Sequence, residues 1–357
     1  MDTQTLTSQA PPWITPELMG IGGEIKASPA HFAVQELPLY PVSGQGEHVY
    51  LTLEREGRTT RDLVTRLAAI FGISADAIGY AGLKDKVARV RQTFSLHLPG
   101  MDPAAAAARA SEALAGLDPP VTVAEHGLHS NKLKVGHLLG NRFTIVVSGV
   151  GPEALAPAQA IAAAIAERGL PNFFGPQRFG RQGDNAAQGL AVLRGRGPRE
   201  KWLRKLVVSA WQAEVFNRWL AARLAAGEFA RLIMGDVAKK TETGGIFTVE
   251  DALLEQPRLE AGEITYTGPL FGKKMRWAQA EAGRREQAAL AASGVDEAAL
   301  KRHGPEGGRR VARLRPQNLA IAPHPEGLVF DFSLAKGAYA TVLLGEFMKT
   351  PVQLFDE

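Results

Sequence analysis

The segment 79–86 reads Gly79-Tyr80-Ala81-Gly82-Leu83-Lys84-Asp85-Lys86. It follows a helix-like stretch and leads into a strand-like run at 91–98, a change of period that indicates an α+β pattern. Its two glycines predict turn geometry that a Cβ atom would resist. Asp85 lies between two lysines, whose charge favours its ionised form, and Tyr80 lies five residues upstream. A carboxylate, a flat ring and cations in one loop suit chemistry on a base of an anionic polymer. The alternative is a loop of Gly, Asp and Lys that serves turn geometry alone.

Helix and strand patterns alternate on both sides of this loop, up to about residue 180. Thr59 or Thr60 is expected to cap a helix that runs to Phe71 and ends at Gly72. Apolar alternation and composition predict the other elements. The expected strands are 32–36, 48–54, 121–125, 142–148, 319–322 and 328–333, and the expected helices are 103–117 and 152–167.

The pattern changes near residue 197. The stretch 198–226 predicts one long helix or two, and residues 228–300 mix short strands, turns and a charged helix. Strands return after a turn-rich connector at 303–308. Strands at both ends around a different middle predict an insertion within one α+β domain. The predicted parts are a flexible N-terminus at 1–22, a first domain part at 23–197, an inserted domain at 198–314 and a last domain part at 315–357.

The composition of the 357 residues is ordinary for a globular protein, with 45% hydrophobic and 22% charged residues. There is no cysteine, which excludes disulfides and thiolate chemistry and is typical of a reducing cytoplasm. No secretory signal is recognisable at the N-terminus, and no apolar run has membrane-spanning length. We therefore expect a cytoplasmic protein without membrane contact. No spacing of His, Asp or Glu predicts a metal site, and no cofactor is expected.

Positive charge is concentrated in two segments of a chain whose net charge is +4. Eight Lys or Arg residues lie within 178–205, against Asp184 and Glu200, and six lie within 301–315. Such clusters predict a polyanion-binding surface, because each phosphate contact releases counterions. A solvated face on an arginine-rich protein is the alternative. Since the two clusters bracket the proposed insertion, we expect electrostatic binding that uses both.

Three segments, in chain order, carry a resemblance to a known family. They are 80–86 (YAGLKDK), 131–143 (NKLKVGHLLGNRF) and 172–180 (NFFGPQRFG), with softer matches at 26–32, 44–48, 209–217 and 336–341. From about residue 23 to residue 349 the chain resembles the TruD family, the tRNA pseudouridine synthases that modify uridine 13. The resemblance implies a catalytic domain with a mixed sheet flanked by helices. It also implies that a family-specific α+β domain interrupts this catalytic domain.

The resemblance also implies an activity, a partner and a nucleophile. The activity is isomerisation of a uridine, which requires neither redox change nor metal, and the partner is tRNA. Asp85 matches the family's nucleophile, with attack at the sugar C1′ and at uracil C6 both open. No obligate protein partner is evident, and a monomer is expected.

Further site residues follow from the need to flip a stacked uridine out of folded RNA. A flipped base needs a flat partner and hydrogen bonds to its edge. The expected substrate-binding residues are Lys26, Tyr80, Asn172 and Phe174, of which Asn172 and Phe174 match the family's Asn-x-Phe element. Core packing is the alternative for Phe174. The expected phosphate-binding residues are Lys84, Arg142, Arg178 and Arg181.

Three other functions are open to the same residues. One is a pseudouridine synthase on another RNA, and another is a non-catalytic tRNA-binding protein or chaperone. A pure binder would not need a carboxylate that faces the RNA, so Asp85 separates binder from enzyme. The third, a small-molecule enzyme, is disfavoured because no nucleotide-binding glycine motif follows a strand.

Overall fold

A computed structural model describes residues 11–25 and 28–350. These residues form two compact units. The large-sheet unit comprises Ile21–Gln159 and Pro316–Gly337, and the small-sheet unit comprises 11–20, Ala160–Arg315 and 338–350. Both units mix helices with strands, which confirms the predicted α+β class.

The strands of the described residues are short to medium in length. In chain order they are β1 (Glu24–Ile25), β2 (Phe32–Pro38), β3 (His48–Arg55), β4 (Ile78–Tyr80), β5 (Arg89–His97), β6 (Thr122–His129), β7 (Leu138–Ser148), β8 (Leu170–Pro171), β9 (Val237–Lys240), β10 (Ile246–Thr248), β11 (Ile264–Leu270), β12 (Gly308–Val311), β13 (Arg313–Leu314), β14 (Gln317–His324) and β15 (Gly327–Ala335).

The helices range from two turns to seven. In chain order they are α1 (Thr60–Phe71), α2 (Pro103–Ala115), α3 (Leu155–Arg168), α4 (Asn185–Leu193), α5 (Lys201–Ala225), α6 (Ala252–Ala261), α7 (Ala280–Ala292), α8 (Glu297–His303) and α9 (Ala340–Met348).

The large-sheet unit is built on one mixed sheet of nine strands, counted over the described residues. Its order is β14-β15-β7-β2-β5-β3-β6, with β1 beside β7 and β4 beside β5. The β2–β5 pair is parallel and the other pairs are antiparallel. Alternate residues of β3 and β5, such as Leu51 and Phe94, pack in one core with apolar residues of α1 and α2. The alternation that predicted these strands therefore reflects one face covered by helices.

Helix α1 begins where its sequence predicts. Thr59 is the N-cap, its hydroxyl accepts a hydrogen bond from the Asp62 amide, and the Asp62 carboxylate accepts one from the Thr59 amide. This reciprocal capping box satisfies two amides at the helix start. Gly72 ends the helix with a φ of +67°, a conformation that favours glycine.

The small-sheet unit is organised by α5, a single helix of 25 residues where the sequence allowed one or two. Aromatic residues of α5, including Phe216 and Trp219, pack with Tyr266 of β11 in a common core. Strand β11 lies within a four-stranded antiparallel sheet of order β10-β9-β11-β12. Gly268 of β11 allows close packing, since a Cβ there would lie 2.3 Å from the Trp219 ring.

The compact units follow only part of the predicted domain plan. Within the described residues, the boundary at 315/316 lies one residue from the predicted end of the insertion, whereas the others fall at 20/21, 159/160 and 337/338. The segment after β8 and helix α4 share a core with α5 and the small sheet, through Phe173, Phe174 and Ala186. The assignment of 198–314 as an inserted domain stays a prediction.

Residues 11–20, expected to be loosely attached, pack against α9. Thr15 is fully buried, and its hydroxyl and amide both donate to the Glu346 carboxylate, at 2.6 and 2.9 Å. Arg168 donates to the carbonyl of Ile14. Apolar contacts add to these hydrogen bonds, since Ile14 packs against the core of the small-sheet unit and Lys349 lies over the Trp13 ring. Residues 1–10 of the predicted flexible N-terminus lie outside the described residues.

Loss of the α1 cap is expected to weaken the large-sheet unit. Thr59→Ala removes one half of the capping box and should lower the free energy of unfolding by about 1 kcal/mol. Thr65→Ala, at an exposed position within the same helix, is the matched control and should not lower it, because alanine has the higher helix propensity. Urea unfolding measures both values. Equal effects of the two substitutions would contradict the capping assignment.

Candidate active site

The loop between β4 and β5 is held at its backbone by four hydrogen bonds from different elements. The carbonyls of Ala81 and Gly82 accept from the Gly136 amide and the Gln92 side chain, both at 2.7 Å. The Lys84 amide donates to the Thr60 hydroxyl at 3.0 Å. The Asp85 carbonyl accepts from Arg55 at 3.4 Å. The loop that presents Asp85 is therefore fixed by strand, helix and loop residues together.

The glycines of this loop do not have the role that the sequence suggested. Neither Gly79 nor Gly82 has a positive φ. Gly79 lies in β4, where a Cβ would come within 2.1 Å of the Leu133 carbonyl oxygen, whereas a Cβ on Gly82 would meet nothing within 4 Å. The prediction that both glycines supply turn geometry is wrong, and close backbone approach is what requires Gly79.

A buried polar network supports the loop. Lys84 Nζ lies 3.0 Å from Glu36 Oε1, and the two side chains are only 10% and 5% exposed. Lys84 also donates to Asn141 Oδ1 at 2.8 Å. The Gln92 amide donates to Glu36 at 3.0 Å, and the Thr60 hydroxyl donates to Gln92 at 2.9 Å. The pair is therefore desolvated and surrounded by further hydrogen bonds, the arrangement that a buried ion pair needs.

Arg55, at the end of β3, brings a second cation to this network. Its guanidinium is 2% exposed and donates to the Arg58 and Asp85 carbonyls and to the side chains of Thr60 and Gln92. Burial lowers the pKa of Arg55 to about 10, although the charges of Glu36, Asp62 and Asp85 raise it. Arg55 therefore stays charged near neutral pH, and this charged group bonds the Asp85 carbonyl.

Glu36, Arg55, Thr60 and Gln92 were not predicted as site residues. Gln92 lies between the buried Val90 and Phe94 on β5, at an inward position by alternation, and it is fully buried. A polar residue at an inward position of a strand is the signal that the sequence offered. The hydrogen-bond partner of Gln92 depends on the order of the strands in the sheet, and the local sequence pattern does not show that order.

The predicted site residues of the large-sheet unit differ in their exposure and in their contacts. Lys26 lies outside the described residues. Tyr80 is partly exposed and packs against the core under α1 and α2. Arg142 is 55% exposed but pairs with Asp331 through two nitrogens, at 2.9 and 3.2 Å. Lys84, predicted to contact phosphate, is turned inward to Glu36, and this buried pairing argues against a phosphate contact.

In the small-sheet unit, Phe174 and Asn172 surround a buried arginine. The Arg310 guanidinium lies 3.8 Å from the centre of the Phe174 ring and donates to Asn172 Oδ1 at 2.7 Å. Burial lowers the pKa of Arg310 to about 10. The Asn217 side chain bonds both the amide and the carbonyl of Phe174. Phe174 is 6% exposed, and its ring packs against Arg310 and Phe216.

Phe174 also lines a cavity of about 530 Å³ that lies within the small-sheet unit. Its walls are mainly apolar, with a few polar side chains, a composition that suits a flat organic ring. The walls include Trp13, Pro171, Phe173, Phe174, Arg181 and Asn217. Arg181 is exposed, and Arg178 stacks 5.3 Å from the centre of the Phe174 ring.

The second basic cluster, 301–315, is largely structural. Arg309 pairs with the buried Glu286 at 2.6 Å, and Arg313 donates to the carbonyls of Glu167 and Arg168. Arg310 contacts the Phe174 ring and donates to Asn172. Only Lys301 and Arg302 of this cluster are exposed among the described residues. The prediction that both clusters bind phosphate is therefore wrong for 309–313, because these guanidiniums bind carbonyls, a carboxylate and a ring inside the unit.

Over the described residues, no group of three or more His, Asp or Glu side chains is placed to hold a metal ion. No helix in this part of the chain is both long and apolar enough to cross a membrane.

Comparison with known proteins gives a consistent set of similarities. The family model of tRNA pseudouridine synthase D (TruD) matches residues 12–200 and 197–347. The tRNA pseudouridine synthase D of Anaeromyxobacter sp. (strain Fw109-5) is 46% identical over 352 residues, which cover 96% of this chain and 97% of that protein. A tRNA pseudouridine synthase D from Thermus thermophilus is 43% identical over 340 residues, which cover 95% of this chain and 92% of that protein.

A crystal structure from Methanosarcina mazei, assigned to tRNA pseudouridine synthase D, superposes with a TM-score of 0.75. The alignment covers 95% of this chain and 96% of that one at 23% identity, so it shows a shared fold.

Removal of the Glu36 charge tests the buried network. Glu36→Gln would leave Lys84 charged and buried without its carboxylate, and it should lower the free energy of unfolding by about 3 kcal/mol. Glu54→Gln, which breaks the more exposed pair with Arg91, should lower it by at most about 1 kcal/mol. Denaturant unfolding of the two variants gives the comparison. Similar small losses in both would show that the Glu36–Lys84 pair does not hold the loop.

Proposed function

Because the chain belongs to the TruD family of tRNA pseudouridine synthases, and is thus an RNA-modifying isomerase, we propose that it converts uridine 13 of tRNA to pseudouridine with Asp85 as nucleophile. The observation that carries this proposal is the fixed loop: a partly exposed aspartate on a backbone anchored at Ala81, Gly82, Lys84 and Asp85.

The reaction needs a carboxylate that is ionised and aimed. Uracil is detached from the ribose, rotated and rejoined through carbon, so one group must attack either the sugar C1′ or uracil C6. Atoms are conserved, and no electron donor or acceptor takes part. An attacking group reacts fastest when its position is set before the substrate arrives. The anchors on the loop backbone supply this positioning.

Lys84 contributes to this mechanism from inside the unit. Lys84 directly precedes Asp85, and its ammonium is held by Glu36 and Asn141. These contacts fix the position of the chain next to Asp85. Lys86, on the other side of Asp85, is exposed. We propose that Lys84 positions the loop and that Lys86 faces solvent or phosphate.

Base recognition is proposed for Tyr80, Lys26 and Phe174, with Asn172 as support. A flipped uracil requires a flat surface and partners for its edge. Tyr80 lies at the start of the Asp85 loop and keeps part of its ring exposed. Asn172 uses its side chain on Arg310 and Val311, so we propose that it orients the Phe174 segment rather than the base. Arg142, Arg178 and Arg181 remain proposed phosphate contacts.

The alternative of a non-catalytic binder is less well supported. A binder has no use for a carboxylate in the middle of its RNA-facing loop, since like charges repel the phosphates. The network of Glu36, Arg55, Thr60 and Gln92 fixes this one loop in a geometry that binding by charge does not require.

Substitution of Asp85 tests the catalytic assignment. Asp85→Asn should keep the fold and the tRNA affinity and should abolish product, because the amide cannot attack. Asp76→Asn, an exposed carboxylate of the same unit, is the matched control and should retain activity. Pseudouridine formed in a tRNA transcript is measured by mass spectrometry, with binding measured in parallel. Near-normal turnover by purified Asp85→Asn protein would refute the nucleophile.

Chelation tests the expected independence from metals. Since the reaction is an isomerisation by a carboxylate, activity should persist after exhaustive dialysis against EDTA, assayed on tRNA refolded with monovalent salt. Loss of activity that one divalent ion restores, with the tRNA fold unchanged, would contradict this mechanism.

A further inference from the structure

Trp202 is an exposed aromatic residue on the first turn of α5. Its side chain is 67% exposed, whereas Trp211 and Trp219 on the same helix are buried. Leu206, one turn further along, is also exposed, at 39%. Trp202 and Leu206 together form an apolar patch, and an apolar patch surrounded by polar residues is a candidate contact with another molecule.

The residues around Trp202 are predominantly cationic. Within 194–205 the sequence contains six Lys or Arg residues and a single acid, Glu200. The exposed cations are Arg194, Arg196, Arg199, Lys201 and Lys205. The turn that carries the first two is ordered, since the Gly195 and Arg196 amides bond the Val192 and Ala191 carbonyls. Exposed cations around an aromatic ring match the needs of a nucleic-acid strand.

Packing brings the exposed part of the second basic cluster to the same place. Helices α4, α5 and α8 share one core, which contains Leu193, Val207 and Leu300. As a result, the end of α8 approaches the turn after α4, and His303 Nε2 lies 3.9 Å from the position of a Cβ on Gly195. Lys301 and Arg302 at this end of α8 are exposed. The exposed end of the second sequence cluster thus lies next to the turn that carries Arg194 and Arg196.

We propose that this surface, 194–205 with 301–302, binds an unpaired segment of RNA and that one base stacks on Trp202. Phosphates would be bound by the exposed arginines and lysines. Stacking on a single ring accepts any base and requires that the base be unpaired, so the surface would recognise loop or end nucleotides rather than duplex. The proposal rests on the proposed function in that the ligand is taken to be RNA. It adds a contact that involves neither Asp85 nor the target uridine.

Binding of an unmodified tRNA transcript tests the surface, with every protein carrying Asp85→Asn so that the RNA is not turned over. Trp202→Ala should raise Kd by roughly 5- to 20-fold, the lower part of the range for loss of one base stack. Trp202→Phe keeps a ring and should stay within about 3-fold of the parent. Arg199→Gln with Lys201→Gln should lower the slope of log Kd against log salt by about 1–2 units.

The matched control is Arg231→Gln with Lys240→Gln, two exposed cations outside this surface. Arg231 lies at the other end of α5, since its carbonyl bonds Arg223. This pair should change Kd and slope much less than the Arg199/Lys201 pair. Equal Kd for Trp202→Ala and the parent would overturn the stacking contact and would leave a protein partner as the occupant. Equal slopes for the two charge variants would overturn the phosphate contacts.

These outcomes are separable from those of the proposed function. If protein with an intact Asp85 forms pseudouridine while the Trp202 variants bind tRNA like their parent, the activity stands and the surface is refuted. If no pseudouridine forms but Trp202→Ala weakens binding, the surface stands and the activity is refuted. A parent protein that does not bind tRNA would refute both.

Discussion

The buried ion pair between Lys84 and Glu36 is the interaction on which the Asp85 loop depends. Two charges that are nearly excluded from water are costly unless each has its partner and further hydrogen bonds. Glu36 comes from β2, and the hydrogen bonds that complete the network come from Gln92 of β5, Thr60 of α1 and Asn141 of β7. The geometry of the Asp85 loop is therefore set by the order of β2, β5 and β7 in the sheet and by the start of α1. A network with some polar groups left unpaired would be less stable than an apolar core, so the stability of this network depends on all of its members.

Arginine has two different uses in this chain. On the surface around Trp202 it is exposed and available for phosphate. In the interior of the small-sheet unit it bonds carbonyls, stacks on rings or pairs with acids, as Arg310, Arg313 and Arg223 do. The planar guanidinium suits this work because its five donors can satisfy several buried carbonyls at once. Positive charge counted along the sequence therefore overstates the charge available to RNA, and the exposed cations are the relevant set.

The sequence predicted local structure well where one residue type had one physical consequence. Thr59 or Thr60 as a cap and Gly72 as a stop set the ends of α1, and the alternation in 48–54 identified β3. The sequence did not predict the partners of Lys84, because Glu36 is far away along the chain and meets Lys84 only through the order of β2 and β5. The burial of Arg310 within the second basic cluster was not predicted for the same reason. Whether a charge is buried depends on tertiary contacts that composition does not contain.

The most direct test of the central claim is the pseudouridine map of cellular tRNA at single-nucleotide resolution. It compares cells that express this protein, cells that lack it and cells that express Asp85→Asn at the same level. We expect pseudouridine at position 13 only in the first, and unmodified uridine there in the other two. Uridine 13 left unmodified in cells with the intact protein, or modified in cells with Asp85→Asn, would contradict the account.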